Sequence, residues 1–550
     1  MRNRTNQIIH AAARFGLLAA AIQMFVASLF AATLDVGPGQ AYSKLGSVPW
    51  MSLGPGDTVN IHYQPGGYHE IVLLSNSGTS NAPITITGVP DPITGALPII
   101  DGQNAVTAAN TPWNSLFFNF EGVIVISRAG TKPHGYIPSW ITIQNLHVQN
   151  ADPAYTLTES DGTVTNFDTF ATGIYVEYAQ HVVIRGCELN GSCNGFFCNT
   201  KNHDPNELSA DMLIEHCWIH DNGYPGNCGV HNIYTEARGI TFQHNLIGPL
   251  RAGADGEQIK DRSSGTVLRY NMIIMGPGPG TAFWFEQTQG GIGIIDVDPA
   301  YKTNFVYGNV FYNPPNSRGL QMFRYDAMGI QGQPRNGTLY FYNNTVVNYA
   351  DQSGRYCTEI FSLPSHSEVL QWNVHDTVDC RNNIFASLPA TAAGSPTAVS
   401  LLGSDDSAIN FGANWISAGG QLIQLPYGST HFFGSLTSTN ELLFGTRGRI
   451  DPGFISAAST NFQLLPTSAA IGAAGAQSPA VAASTHIPRL EYVFPTGVEI
   501  RRGNGPRLDL GAFEGTSTSP VGPLYLLTVA GGLGQGSYPA GANGEFERGR

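Results

Sequence analysis

Lys260 and Arg262 stand two residues apart in Gly256-Glu-Gln-Ile-Lys-Asp-Arg262, so a strand there would present both cations on one face. Four other segments share its short alternating grain: Gly173-Ile-Tyr-Val-Glu177, Val230-His-Asn-Ile-Tyr-Thr-Glu236, Ala282-Phe-Trp-Phe-Glu286 and Leu320-Gln-Met-Phe-Arg-Tyr-Asp326. With Ile233, Ile259, Phe283 or Phe285, and Met322 or Phe323 pointing inward, alternation predicts an outward row of Tyr234, Lys260, Trp284 and Arg324. A second outward row would hold Glu236, Arg262, Glu286 and Asp326; a one-residue slip in either of the last two segments would flip it. Cations are concentrated here: nine Lys or Arg fall within residues 238–335, where an even spread of 27 over 550 would put about five. Such a face suits an acidic polysaccharide, because guanidinium and ammonium groups bind carboxylates and aromatic rings stack on sugars. Trp284, His231, Asn232 and Gln258 are the expected substrate contacts.

The chemistry that fits these residue types is β-elimination across a uronate. The carboxylate must be neutralised to make the adjacent proton acidic, a base must take that proton, and an acid must protonate the leaving oxygen. Lys260 is the expected base, Arg262 the neutraliser and Tyr234 the acid, with Arg324 completing the catalytic set. Three alternatives use the same face. A glycosidase would place Glu236 and Glu286 across the bond, a uronate epimerase would use similar groups, and a glycan-binding or adhesin-like protein would bind without turnover.

What positions these residues is a repeat. Eight segments read Ile141-Thr-Ile-Gln-Asn145, Val183-Ile-Arg-Gly-Cys187, Leu213-Ile-Glu-His-Cys217, Thr241-Phe-Gln-His-Asn245, Val267-Leu-Arg-Tyr-Asn271, Phe305-Val-Tyr-Gly-Asn309, Tyr340-Phe-Tyr-Asn-Asn344 and Asp379-Cys-Arg-Asn-Asn383. Their last residues are 42, 30, 28, 26, 38, 35 and 39 apart, with no helical pattern between them. A β-rich period of this size marks a solenoid, and the shortest interval holds about three strands of five residues plus turns. The fold class is therefore all-β: a single-stranded right-handed parallel β-helix. Side chains at one slot of successive coils lie about 4.8 Å apart, so the recurring Asn predicts an internal amide ladder, with Cys187 and Cys217 as small fillers.

The chain divides into a signal peptide (1–32), an N-terminal cap with first coils (33–135), the helix core (136–410), last coils with a closing segment (411–515) and a linker-like tail (516–550). Arg2, Arg4 and Arg14 precede an apolar run from Phe15 to Phe30, followed by Ala31 and Ala32, which predicts export. No later run is long enough to span a bilayer. The net charge of −13 becomes −16 once those three arginines leave. That excludes nucleic-acid binding by bulk electrostatics, and a monomer is expected. Five of the seven cysteines lie between Cys187 and Cys228, and Cys198 with Cys228 is the expected disulfide. His216 and His244 precede the ladder slot in consecutive coils and are expected to stack.

Val36-Gly-Pro-Gly-Gln-Ala-Tyr42, Asp101-Gly-Gln103, Asp451-Pro-Gly-Phe454, Asn461-Phe-Gln-Leu-Leu-Pro466 and Asp509-Leu-Gly-Ala-Phe-Glu514 resemble the opening and closing segments of the pectate-lyase-like β-helix superfamily. Glu257-Gln-Ile-Lys-Asp-Arg262-Ser-Ser-Gly-Thr-Val-Leu-Arg269-Tyr-Asn271 resembles, over about fifteen residues, a signature of polysaccharide lyase family six, the alginate lyases and chondroitinase B-like enzymes. The resemblance implies that Glu257 is a calcium-binding carboxylate; calcium held by Glu257, Glu236 or Glu286 is expected to assist Arg262 in neutralising the uronate carboxylate. Arg262 falls where that family has its base lysine, a departure that leaves the part to Lys260. The family's second catalytic Arg has no match on the following coil, and Arg324 lies one coil further on.

Overall fold

The computed structural model describes residues 31–515 except for 114–121, 327–333, 350–358, 364–375, 389–399, 404–407, 424–430, 446–449 and shorter gaps at 110, 202, 277, 279, 316, 318–321, 432–433, 439–441 and 504. Outside that range it describes 526–527 and 538–539, so the signal peptide and most of the tail lie outside the described residues. No helix among the described residues is long and apolar enough to cross a membrane.

The chain winds through three sheets of thirteen, fourteen and eleven strands. One coil shows the path: Arg238–Gln243 in the first sheet, Leu246–Ile247 in the third, Ile259–Asp261 in the second, then Ser264–Arg269 back in the first. Successive coils pair in parallel, with Phe242 opposite Leu268 and Lys260 opposite Trp284. This is the expected right-handed parallel β-helix, the hand that such parallel connections take. Inward residues stack into a continuous apolar column: Ile184, Ile214, Phe242, Leu268, Val306 and Phe341 occupy one slot and are all fully buried. Each such side chain contributes about 1.5–3 kcal/mol through burial.

The amide ladder is present and runs Asn245, Asn271, Asn309, Asn344, Asn383 and Asn414. Each Nδ2 donates to the next Oδ1 at 2.9–3.2 Å. Each Oδ1 also accepts a backbone N–H from the coil before it, from Cys217 at the near end and Asn383 at the far end. Cys187 and Cys217 fill the preceding slots, buried and unbonded. Asn145 is corrected. It sits one residue early, at the left-handed turn position (φ 55°) also held by Gly186, His216, His244 and Gly308, and Leu146 takes the ladder slot. Asn is favoured both at left-handed turns and in ladders, so residue type alone did not decide between them. The Cys198–Cys228 disulfide is also corrected: Cys198 is buried inside the coil, Cys228 is exposed, and neither is bonded.

At the N-terminal end, Leu45, Val48, Trp50 and Leu53 fold into the core beside the first coils. The closing segment does not extend the stack. Phe454, Phe462, Leu464, Tyr492, Leu510 and Phe513 pack on the outer face of the third sheet, over Leu246, Met272, Val310, Val347 and Ile384. The second sheet is left to carry the cationic face.

Candidate functional site

The second sheet aligns the predicted row in register. Tyr234 is opposite Lys260, Lys260 opposite Trp284, and Trp284 opposite Arg324. The row continues backward through Phe197 to Tyr175. In-register side chains on a parallel stack meet along the helix axis, and Phe197 meets Tyr234 edge-on at 5.2 Å. Tyr175 and Phe197 are stacked at 5.1 Å, the Lys260 ammonium lies 5.2 Å from the Tyr234 ring and 4.4 Å from the Trp284 ring, and the Arg324 guanidinium lies 4.1 Å from Trp284. Trp284 is thus sandwiched between two cations. The expectation that it stacks on a sugar is corrected: its faces are occupied, and its part is to pin Lys260 and Arg324 by cation–π attraction.

The second row adds the counter-charges. Glu286 Oε2 lies 2.8 Å from Lys260 Nζ and 2.6 Å from Arg262 Nη2, joining both cations to one carboxylate. Arg262 also donates from Nε to the Tyr234 hydroxyl (3.0 Å) and from Nη1 to the Gln287 carbonyl (2.5 Å). Burial works against the Arg262 charge, but Tyr234, Glu286 and Glu236 hold its pKa above the ordinary value. Arg324 is different. It is half-buried, its Nε is buried without a partner, and among the described residues no carboxylate lies at ion-pair distance from it, although its charge is felt by the buried Glu257 carboxyl.

The remaining predicted residues are placed elsewhere or already engaged. Asn232 and Gln258 lie inside the coil, where Asn232 Nδ2 donates to Gln258 Oε1 at 2.7 Å and Asn222 Nδ2 donates to Asn232 Oδ1 at 3.0 Å. They form a second short amide ladder and do not face substrate. His231 is fully buried, with Nδ1 accepting the Glu257 N–H (2.8 Å) and its ring edge-on to Tyr234. Burial, then the Lys260 and Arg262 charges, push its pKa well down, so it is neutral.

The three carboxylates do not fit a calcium ion. Glu236 accepts from Thr288 Oγ1 and from the backbone N–H groups of Gln289, Gly290 and Gly291, anchoring that loop beside the groove. Glu257 accepts the Thr281 N–H, and burial raises its pKa, which favours the uncharged acid. Glu286 is held by two cations. Calcium needs six to eight oxygens, and these are neither free nor gathered. The groups of close His and carboxylate ligand atoms among the described residues are Glu215–His216–His244 and His134–Asp204–Glu207, and neither belongs to this face.

Asp326, expected in the second outward row, is corrected: it follows the strand Phe323–Tyr325 and is fully buried, while Arg335 and Asp376 escaped the sequence reading because they lie in irregular connections with no strand alternation. The fully buried Arg335 donates to the carbonyls of Ser263, Glu286 and Tyr301, fixing the backbone beneath Arg262 and Glu286. Asp326 accepts the Arg335 N–H and Asp376 the Gly337 N–H, and the two carboxyls share a hydrogen bond. Burial raises both pKa values, Asp326 to about 7 against the Arg335 charge. A folded value above the unfolded one gives stability fully present below about 4 and lost as pH rises through about 7. Urea midpoints should therefore fall between about pH 5 and about pH 8, and Asp376→Asn should shrink that fall. An unchanged slope in the variant would contradict the shared proton.

No family model matches this chain, and no characterised protein matches it in sequence. Solved structures do match in shape. An alginate lyase from Paenibacillus sp. str. FPU-7 is 15% identical over 71% of this chain and 93% of its own, with a TM-score of 0.30. A pectate lyase, Pel9A, is 12% identical over 88% and 98%, at 0.41. A GH136 lacto-N-biosidase from Eubacterium ramulus is 12% identical over 78% and 70%, at 0.37. The parallel β-helix itself rests on the strand pairing of this chain.

Proposed function

We propose that this protein cleaves an acidic polysaccharide by β-elimination on the second-sheet face. The observation that carries this reading is Arg324: a guanidinium pinned on Trp284, half-exposed, with no carboxylate at ion-pair distance among the described residues. A planar guanidinium in that state is a receptor for a substrate carboxylate, which it can bind through two parallel hydrogen bonds. Arg262, expected to neutralise the carboxylate, is spent on Glu286, Tyr234 and Gln287, so that part passes to Arg324.

In this reading the uronate carboxylate docks on Arg324 and its charge is neutralised. Lys260 must first pass its ammonium proton to solvent; its amine then takes the C5 proton, the C4–C5 double bond forms, and the C4–O4 bond breaks. Tyr234, whose hydroxyl oxygen accepts from Arg262 and is thereby held in place, protonates the leaving oxygen. Glu286 holds Lys260 and Arg262 in place. No step runs through a metal ion.

A second reading, glycan binding without turnover, is favoured by the ion pair that matches Lys260 to Glu286. Mass spectrometry of a digest separates the two. Elimination yields unsaturated fragments that contain no added water, hydrolysis yields fragments with one added water each, and pure binding yields an intact polymer. Unsaturated fragments are the expected result, and either other outcome overturns the elimination.

A further inference from the structure

Away from the cationic face, the turn between the first and third sheets brings Glu215, His216 and His244 together. Glu215 and His216 end one coil, and His244 stands in the next at the same left-handed turn position as His216. None of the three has a part in the elimination. Their ligand atoms lie within 4.8 Å of one another.

The tautomers are fixed by the partners. His216 Nδ1 lies 2.6 Å from the Thr496 carbonyl, which can only accept, so Nδ1 carries the proton and Nε2 presents a lone pair. That arrangement, one ring nitrogen donating to a backbone carbonyl while the other stays free, is the usual support of a metal-bound imidazole. His216 Nε2 and His244 Nδ1 are 3.2 Å apart. Two nitrogens on a tetrahedral zinc with Zn–N of about 2.0–2.1 Å would be about 3.4 Å apart, so the rings need only small shifts. His244 is buried, and its Nε2 has no partner, so moving the ring proton from Nδ1 to Nε2 sacrifices no bond there. Glu215 is oriented by Arg185 Nε and Gln243 Nε2, each at 2.5 Å, and each of its oxygens retains a second lone pair.

We infer that Glu215, His216 and His244 form a binding site for a divalent transition metal of the zinc class. Through Thr496 on His216, the site clamps the closing segment to coils some 280 residues earlier. His216 also lines, with Trp218 and Phe494, a cavity of about 220 Å³. The second cluster, His134–Asp204–Glu207, differs: its histidine is mostly exposed and Glu207 is paired with Arg128.

Cobalt(II) titration of the metal-stripped full-length protein tests the inference on the wild type directly. The expected result is one equivalent bound with the intense visible bands of a tetrahedral nitrogen and oxygen site, displaced by zinc. Calorimetric zinc affinity should fall at least about a hundredfold in His244→Ala and be unchanged in His134→Ala. Absence of tetrahedral cobalt bands, or zinc affinity indifferent to His244→Ala in a variant with the wild-type circular dichroism, would overturn the site.

Discussion

Arg324→Ala is expected to lower turnover of an acidic polysaccharide by about 10²–10³, the cost of removing one preorganised charge partner from a developing negative charge. The fold should survive, since Arg324 is half-buried on the outer face and makes no ion pair among the described residues. Arg324→Lys should recover only part of the loss, because an ammonium cannot repeat the fork-like contact of a guanidinium with a carboxylate. Lys260→Ala should go further and abolish turnover while leaving polymer binding largely intact. Its removal strips Glu286 of one of two partners and empties the space between Tyr234 and Trp284. Full activity in Lys260→Ala would remove it as base; full activity in Arg324→Ala would remove the carboxylate receptor. Measuring kcat and KM separately keeps the roles apart, since losing the base lowers kcat first, whereas losing the receptor moves both.

The largest loss of stability is expected at the middle of the amide ladder. Asn309 Oδ1 accepts from the backbone and side chain of Asn271, and its Nδ2 donates to the carbonyls of Leu268 and Tyr307 and to Asn344 Oδ1. Asn309→Val keeps a side chain of similar bulk but removes all of these bonds at a fully buried position. Each buried group left unsatisfied costs about 1–3 kcal/mol, so a destabilisation of about 3–5 kcal/mol is expected from urea unfolding. A loss below about 1 kcal/mol would show that the ladder is geometric consequence and not cause. Asn145→Ala is the control: that residue is exposed at a left-handed turn, outside the ladder, and its cost should stay within the range of turn substitutions.

The period and the facing of the site strands were legible from residue types because both follow from alternation over a repeat. Tyr234, Lys260, Trp284 and Arg324 fell into one row once Ile233, Ile259 and Phe283 were placed inside. The same alternation failed just outside the strands. Ile233–Thr235 and Ile259–Asp261 are only three residues long, so the pattern does not carry to Asn232 and Gln258, whose backbone has already turned. Trp284 and Arg262 were found, but not the partners that engage them. A parallel stack brings side chains together along its axis, and partners on neighbouring coils, not residue type, decide which cation is committed. Glu236 illustrates the same limit: the loop donors that satisfy it come from more than fifty residues later in the chain.

Ultraviolet absorbance is the most direct measurement of the central claim. The purified protein would be incubated with alginate, pectate, chondroitin, hyaluronan and glucuronan, each with a metal chelator and with added calcium. Elimination without a metal step predicts rising absorbance from an unsaturated uronate on at least one substrate, undiminished by the chelator and absent with Lys260→Ala. No rise on any of these polymers would contradict elimination on this face, and a rise only with calcium would contradict the metal-free assignment of Arg324.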